Sequence, residues 1–179
     1  MTLSPPDPPL GDDVVTLRPP EERDLEAIDQ GIRDGDVVRW VGRPEGSAPD
    51  TLALNRRRWS DGSPSFAICD LDDACVGLVW INLSAIDAAT GSVGYWLLPA
   101  SRGRGFATRA VRLLVPWAGR IMSLDRIRLV TQSANERSRA VATRSGFRAV
   151  GTVSGPSELD GRTVDFMVFE WSPESTNPR

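Results

Sequence analysis

The stretch Arg102-Gly103-Arg104-Gly105-Phe106-Ala107 is the part of this chain best suited to hold an anion. Gly103 and Gly105 carry no side chain and Ala107 only a methyl group, so main-chain N–H groups there can come close to a ligand. The run before it, Gly91 to Leu98, reads as a strand that stops at Pro99. From Gly105 onward the period becomes helical, with Ala107, Ala110, Val111, Leu114, Val115 and Ala118 on one apolar face. The hexapeptide and Thr108 therefore open a helix, where free N–H groups and the positive end of the dipole attract phosphate. A pyrophosphate matches that setting.

Three readings of the loop compete. A Walker loop needs Gly-Lys-Ser/Thr, and all 21 basic residues of this chain are arginines, so that reading fails. A dinucleotide fold places Gly-x-Gly-x-x-Gly early in a βαβ unit, whereas this loop lies past the midpoint and has Thr108 at the third glycine position. The third is a ligand-free strand-to-helix turn.

The flanking residues favour a ligand. Gly94-Tyr95-Trp96-Leu97-Leu98-Pro99 precedes the loop, Asn135-Glu136-Arg137-Ser138 follows, and Gly146-Phe147 closes the next helical run. Together they resemble the GNAT superfamily of acyl-CoA-dependent N-acetyltransferases, whose signature is Arg or Gln, two variable residues, Gly, one variable residue, then Gly or Ala. Arg102, Gly105 and Ala107 match it. The chain is most similar to the branch that includes the ribosomal-protein N-terminal acetyltransferases, over roughly Val14 to Trp171.

The resemblance implies a single α/β (α+β) domain with a mixed central sheet of about seven strands, splayed between the fourth and fifth and flanked by about four helices. It implies acetyl-CoA as cosubstrate, no metal, and transfer of acetyl to a primary amine, either a protein N-terminal α-amine or a small molecule. Backbone N–H groups of Gly103, Arg104, Gly105, Phe106, Ala107 and Thr108 would hold the pyrophosphate, and Arg102, Arg104 and Arg109 could pair with its charge. Leu97 or Leu98 would offer an N–H to the thioester oxygen. Asn135 would contact the pantetheine arm and Ser138 would point at the sulfur, although N-capping of a helix explains the same two residues. Many members carry a tyrosine where this chain has Ala142, which makes Ser138 the substitute donor. Glu158 is the candidate base, one residue beyond the matching position, Ser157; Asp165 is a second acid in the same region. Trp40, Trp59 and Tyr95 are candidates for the acceptor side. An aminoglycoside-type antibiotic acetyltransferase and a non-catalytic acyl-CoA-binding module are the rival readings.

Composition narrows the chemistry further. Histidine is absent, which removes Ser-His-Asp triads, Cys-His pairs and histidine-ligated zinc, and the lack of lysine removes Schiff-base chemistry. A net charge of −3 provides no basic field for nucleic acid, and Arg56-Arg57-Arg58 reads as a solvated helix face. The apolar run Val76 to Ile86 is shorter than the roughly 20 residues a membrane span needs. Residues 1–12 read as a disordered Pro-rich tail, 13–171 as the domain and 172–179 as a C-terminal tail. A cytoplasmic location is expected, with a homodimer as one compatible assembly. Cys69 and Cys75 bracket an acidic turn and are expected as reduced thiols facing each other across a hairpin.

The elements that must position these residues follow from period and punctuation. Strands are expected at Val14–Arg18, Ser65–Cys69, Ala74–Leu83, Ser92–Leu98, Arg126–Thr131, Phe147–Val153 and Thr163–Trp171. Helices are expected from Pro19-Pro20 to about Arg33, from Pro49 or Asp50 to Trp59, after the signature loop, and from Asn135. Pro116 is expected to kink or end the third of these.

Overall fold

Strand formation follows the apolar runs. The computed structural model describes residues 2–42, 46–157 and 159–173, and in it Leu10–Gly11 (β1), Thr16–Arg18 (β2), Ser65–Cys69 (β3), Cys75–Leu83 (β4) and Thr90–Leu97 (β5) pair antiparallel in sequence order. Arg126–Gln132 (β6) joins β5 in parallel, and Thr163–Trp171 (β8) lies between β6 and the edge strand Arg148–Pro156 (β7). Among the described residues the sheet has eight strands. The extra one, β1, is two residues long, too short to carry a recognisable period.

Among the described residues five α-helices accompany it: Leu25–Arg33 (α1), Gly35–Val41 (α2), Ala48–Ser60 (α3), Phe106–Ile121 (α4) and Glu136–Arg144 (α5). Helix α2 escapes sequence reasoning because it opens on glycine and contains three valines, all poor helix formers. It forms because Asp34 caps it, accepting the Val37 N–H at 3.0 Å, and because Val37 is buried. Pro116 does not end α4. The cost of proline within a helix, about 3 kcal/mol, is offset by buried Ala110, Val111, Leu114, Val115 and Trp117, the large members of which contribute about 1.5–3 kcal/mol each.

The sheet separates two cores. On one face α4 covers Phe66, Val79, Ile81, Val93, Leu97, Ile127 and Leu129. On the other, Ile28 of α1, Val37 of α2 and Leu52 of α3 pack over Ala67, Leu78 and Trp96. Gly31 allows that approach, since a Cβ there would lie 2.4 Å from the Trp96 indole.

The N-terminal segment is docked rather than disordered. Leu3 is buried and its N–H donates to the Trp59 carbonyl at 3.1 Å, while β1 extends the sheet. A proline-rich composition hides this, because one buried leucine and one backbone pair fix the segment. Cys69 and Cys75 are register partners across β3 and β4, and both are free thiols.

Candidate active site

The parallel pairing of β5 with β6 runs only from Thr90↔Arg126 to Ser92↔Arg128. Beyond it, Val93–Leu97 pairs with β4 alone and Leu129–Gln132 with β8 alone, so the two strands part and leave a gap in the sheet. The Leu98 N–H donates to the Val76 carbonyl at 2.9 Å. In an antiparallel ladder the polar groups of successive residues point to opposite sides. Leu97 and Tyr95 therefore turn their N–H groups into the gap. Of the two expected donors to a thioester oxygen, Leu98 is committed to β4 and Leu97 is the one that faces the opening.

At the end of β5 the chain passes through a 3-10 turn, Pro99–Ser101, and reaches the glycine loop. Gly103 and Gly105 have φ of +75° and +85°, a region that costs other residues strain, and a Cβ on either would meet open space. Gly105 is the N-cap of α4, and the first intrahelical bond runs from the Arg109 N–H to the Gly105 carbonyl at 3.1 Å. The N–H groups of Phe106, Ala107 and Thr108 precede it and have no acceptor within the helix. Phe106 and Ala107 bury their side chains in the core and so contribute main chain only. Beside the loop lies a cleft of about 360 Å³, lined by Gly105, Thr108, Arg109, Arg112 and Arg144 among others. An open, donor-rich helix start beside a cleft lined by three arginines and Asp12 suits a diphosphate.

The arginines of the loop are already engaged. Arg102 turns away from the glycine amides: its Nε donates to the Leu97 carbonyl at 3.1 Å, Nη1 to Asp36 at 3.0 Å and Nη2 to Asp34. Its side chain is thus held by two carboxylates and a backbone carbonyl in place of solvent. Arg109 lies between Asp12 and Asp13, both at 2.9 Å, and Arg104 stacks over the Phe106 ring at 4.9 Å. Burial alone would raise the Asp34 carboxyl, but hydrogen bonds from Arg102 and the Val37 N–H hold it below its ordinary value.

On the far side of the gap, Asn135 caps α5 by accepting the Ser138 N–H at 3.1 Å through Oδ1. The helix ends at Gly146, in the left-handed region, with the Phe147 N–H returned to Ala142 at 3.1 Å. The Tyr95 hydroxyl crosses the gap and donates to Ser138 Oγ at 3.1 Å. Burial pushes the Tyr95 phenol up to about 12.

The remaining expected residues scatter. Trp59 is buried against Phe66, at 4.8 Å between ring centroids, and its Nε1–H donates to the Ser65 carbonyl at 3.0 Å. It belongs to the core, because its position on α3 faces β3. Trp40 is half-buried on α2 with the Arg39 guanidinium 4.4 Å above its ring. Glu158 lies outside the described residues. Its neighbour Ser157 is buried, and Gln132 Nε2 at the end of β6 reaches the Ser157 Oγ at 3.5 Å. Asp165 is exposed on β8 and accepts the Ser154 hydroxyl at 2.6 Å. Sequence reasoning does not reach Asp34, Asp36 and Arg137. Their signal is tertiary, since Asp36 accepts from Arg102 and also lies 3.5 Å from Arg137 of α5.

The family of acetyltransferase (GNAT) domains matches residues 15–148. The chain belongs to the GNAT acetyltransferase family. It is 26% identical over 174 residues to a Bacillus subtilis protein named "Putative ribosomal N-acetyltransferase YdaF", covering 89% of this chain and 94% of that one. It is 24% identical over 151 residues to the spermidine N(1)-acetyltransferase of Escherichia coli K12, covering 83% and 80% respectively. Among solved structures, Mycobacterium smegmatis RimJ in complex with CoA-disulfide superposes with a TM-score of 0.77 at 28% identity, covering 92% of this chain and 84% of that one. As a GNAT protein the chain is an N-acetyltransferase. Among the described residues no helix is long and apolar enough to cross a membrane, and no group of three His, Cys, Asp or Glu side chains is arranged to hold a metal ion.

Proposed function

We propose that the gap between β5 and β6 receives the pantetheine arm of acetyl-CoA, with the diphosphate on the amides from Gly103 to Thr108. The observation that carries this reading is the interrupted strand pairing next to a helix start whose two left-handed glycines open onto empty space. A neutral primary amine then attacks the thioester carbonyl directly. A nitrogen–carbon bond forms, the carbon–sulfur bond breaks with its electron pair on sulfur, and the amine proton passes to water or a carboxylate. The Leu97 N–H stabilises the developing oxyanion, and alignment of the two substrates supplies much of the rate.

The acceptor we favour is the α-amine of a polypeptide. Such an amine, with a pKa near 8, is partly neutral at pH 7, unlike a lysine amine near 10.4. Polyamines and aminoglycosides need unpaired carboxylates, and three of the described ones are already paired: Asp34 and Asp36 by Arg102, Glu170 by Arg128. On the side of the sheet where α1 and α2 lie, the floor beyond the gap is apolar, built from Val130 of β6 and Phe166 and Val168 of β8. Thiol release from acetyl-CoA measured over a panel of short peptides with varied N-termini, spermidine and an aminoglycoside tests the assignment. Turnover is expected with peptides above all. Preference for the polycations overturns the acceptor class, and binding of CoA without turnover of any amine would support an acyl-CoA-binding module instead.

A further inference from the structure

The chain has a single tyrosine, Tyr95. It projects from the stretch of β5 that has lost its β6 partner, and its hydroxyl bridges the opening to α5. We propose that Tyr95 is a positioning residue for acetyl transfer: its phenol donates to Ser138 Oγ, which turns the single hydroxyl hydrogen of the serine into the gap, toward the sulfur of the departing thiolate. The proposal rests on the acetyl-CoA reading of the gap.

The geometry constrains the serine from two sides. Its backbone N–H is held by Asn135 Oδ1, which fixes the first turn of α5, and its oxygen receives the tyrosine hydrogen at 3.1 Å. A hydroxyl that accepts one hydrogen bond directs its own hydrogen elsewhere. Neither residue gives up its proton. The thiolate leaves with the electron pair of the carbon–sulfur bond, is steadied by the Ser138 hydrogen, and takes a proton from water on release. Because the phenol is buried and ionises only far above neutrality, Tyr95 remains a donor throughout the range in which the amine is neutral.

The test is a cycle of Tyr95→Phe, Ser138→Ala and the double variant, with kcat, KM for the amine and the CoA dissociation constant measured for each. Wild-type turnover is established first; its absence overturns the acetyl-transfer reading on which the proposal rests, whereas the variants address the tyrosine. Ser138→Ala is expected to lower kcat about 30-fold and Tyr95→Phe about 5-fold, as for a lost charged hydrogen bond and a misoriented one. The double variant should match Ser138→Ala alone, with CoA affinity within about twofold of wild type throughout. Donors whose thiol is more acidic need less help at sulfur, so both deficits should shrink with them, which mere loosening of the fold would not produce. Wild-type kcat in Tyr95→Phe, losses that multiply in the double variant, or deficits indifferent to the leaving thiol would each overturn the proposal.

Discussion

Replacing Gly105 by leucine separates the cost of its backbone from the cost of blocking its ligand. The residue sits at φ +85° and a Cβ added to it would have nothing within 4 Å, so the apo protein loses only the left-handed penalty. That penalty is about 1–2 kcal/mol, and with a conversion of about 2–4 °C per kcal/mol for a chain of this size it lowers the midpoint by about 2–8 °C. CoA at a hundred times its dissociation constant stabilises the wild type by about 2.7 kcal/mol, a rise of about 5–11 °C by the same conversion. In the variant the leucine occupies the space where phosphate oxygens belong, and the rise should vanish. Gly161, at φ +69° and likewise clear of neighbours, supplies the control: Gly161→Leu should lower the apo midpoint comparably and keep the full response to CoA. Thermal scans with and without CoA decide the matter. An undiminished rise in Gly105→Leu would refute the placement of the diphosphate.

Two further outcomes follow from the electrostatics. Arg102→Ala leaves Asp34 and Asp36 facing each other without their shared cation and should cost about 1–3 kcal/mol, with the amine KM rising more than the CoA dissociation constant; a salt-dependent loss of CoA affinity instead would return Arg102 to the phosphate. The carboxyls of Asp73, held down mainly by Arg18, and of Asp34, held down by Arg102 against burial, have folded pKa values below their unfolded ones. Their contribution is present above about pH 4 and is lost as pH falls below it, so urea midpoints should drop between pH 5 and pH 3 by about 1 M or less, and less steeply in Arg102→Ala; a flat profile refutes the pairing. Burial pushes the Cys75 thiol up to about 11 and raises Cys69 further, so iodoacetamide at pH 8 should label the native protein far more slowly than the urea-unfolded chain, and equal rates would contradict the burial of β3 and β4.

Local chemistry makes much of the architecture legible along the chain. Strand-period runs mark β2 to β8 to within a few residues, the Pro and acidic start marks the first helix, and Gly146-Phe147 marks the end of α5. The signature loop can be located because glycine at 103 and 105 answers a backbone requirement, which is a property of single residues. Helix α2 is hidden because its stability comes from a cap and from Val37 in the core rather than from propensity. The docking of Leu3 is hidden for the same kind of reason, one contact outweighing a disordered-looking composition.

The sequence by itself determined the class of the molecule: a glycine-rich helix start after a strand, no histidine or lysine chemistry, and the order of elements that goes with this family. Only the tertiary structure decided how the site is wired. It turned Arg102 toward Asp34 and Asp36, sent Trp59 into the core, directed the Leu97 N–H rather than that of Leu98 away from β4, and brought Tyr95 to Ser138 from 43 residues away. Backbone conformation and helical period are local and can be read along the chain. Which polar group finds which partner depends on where distant segments meet, and that is settled only when the sheet and its helices have come together.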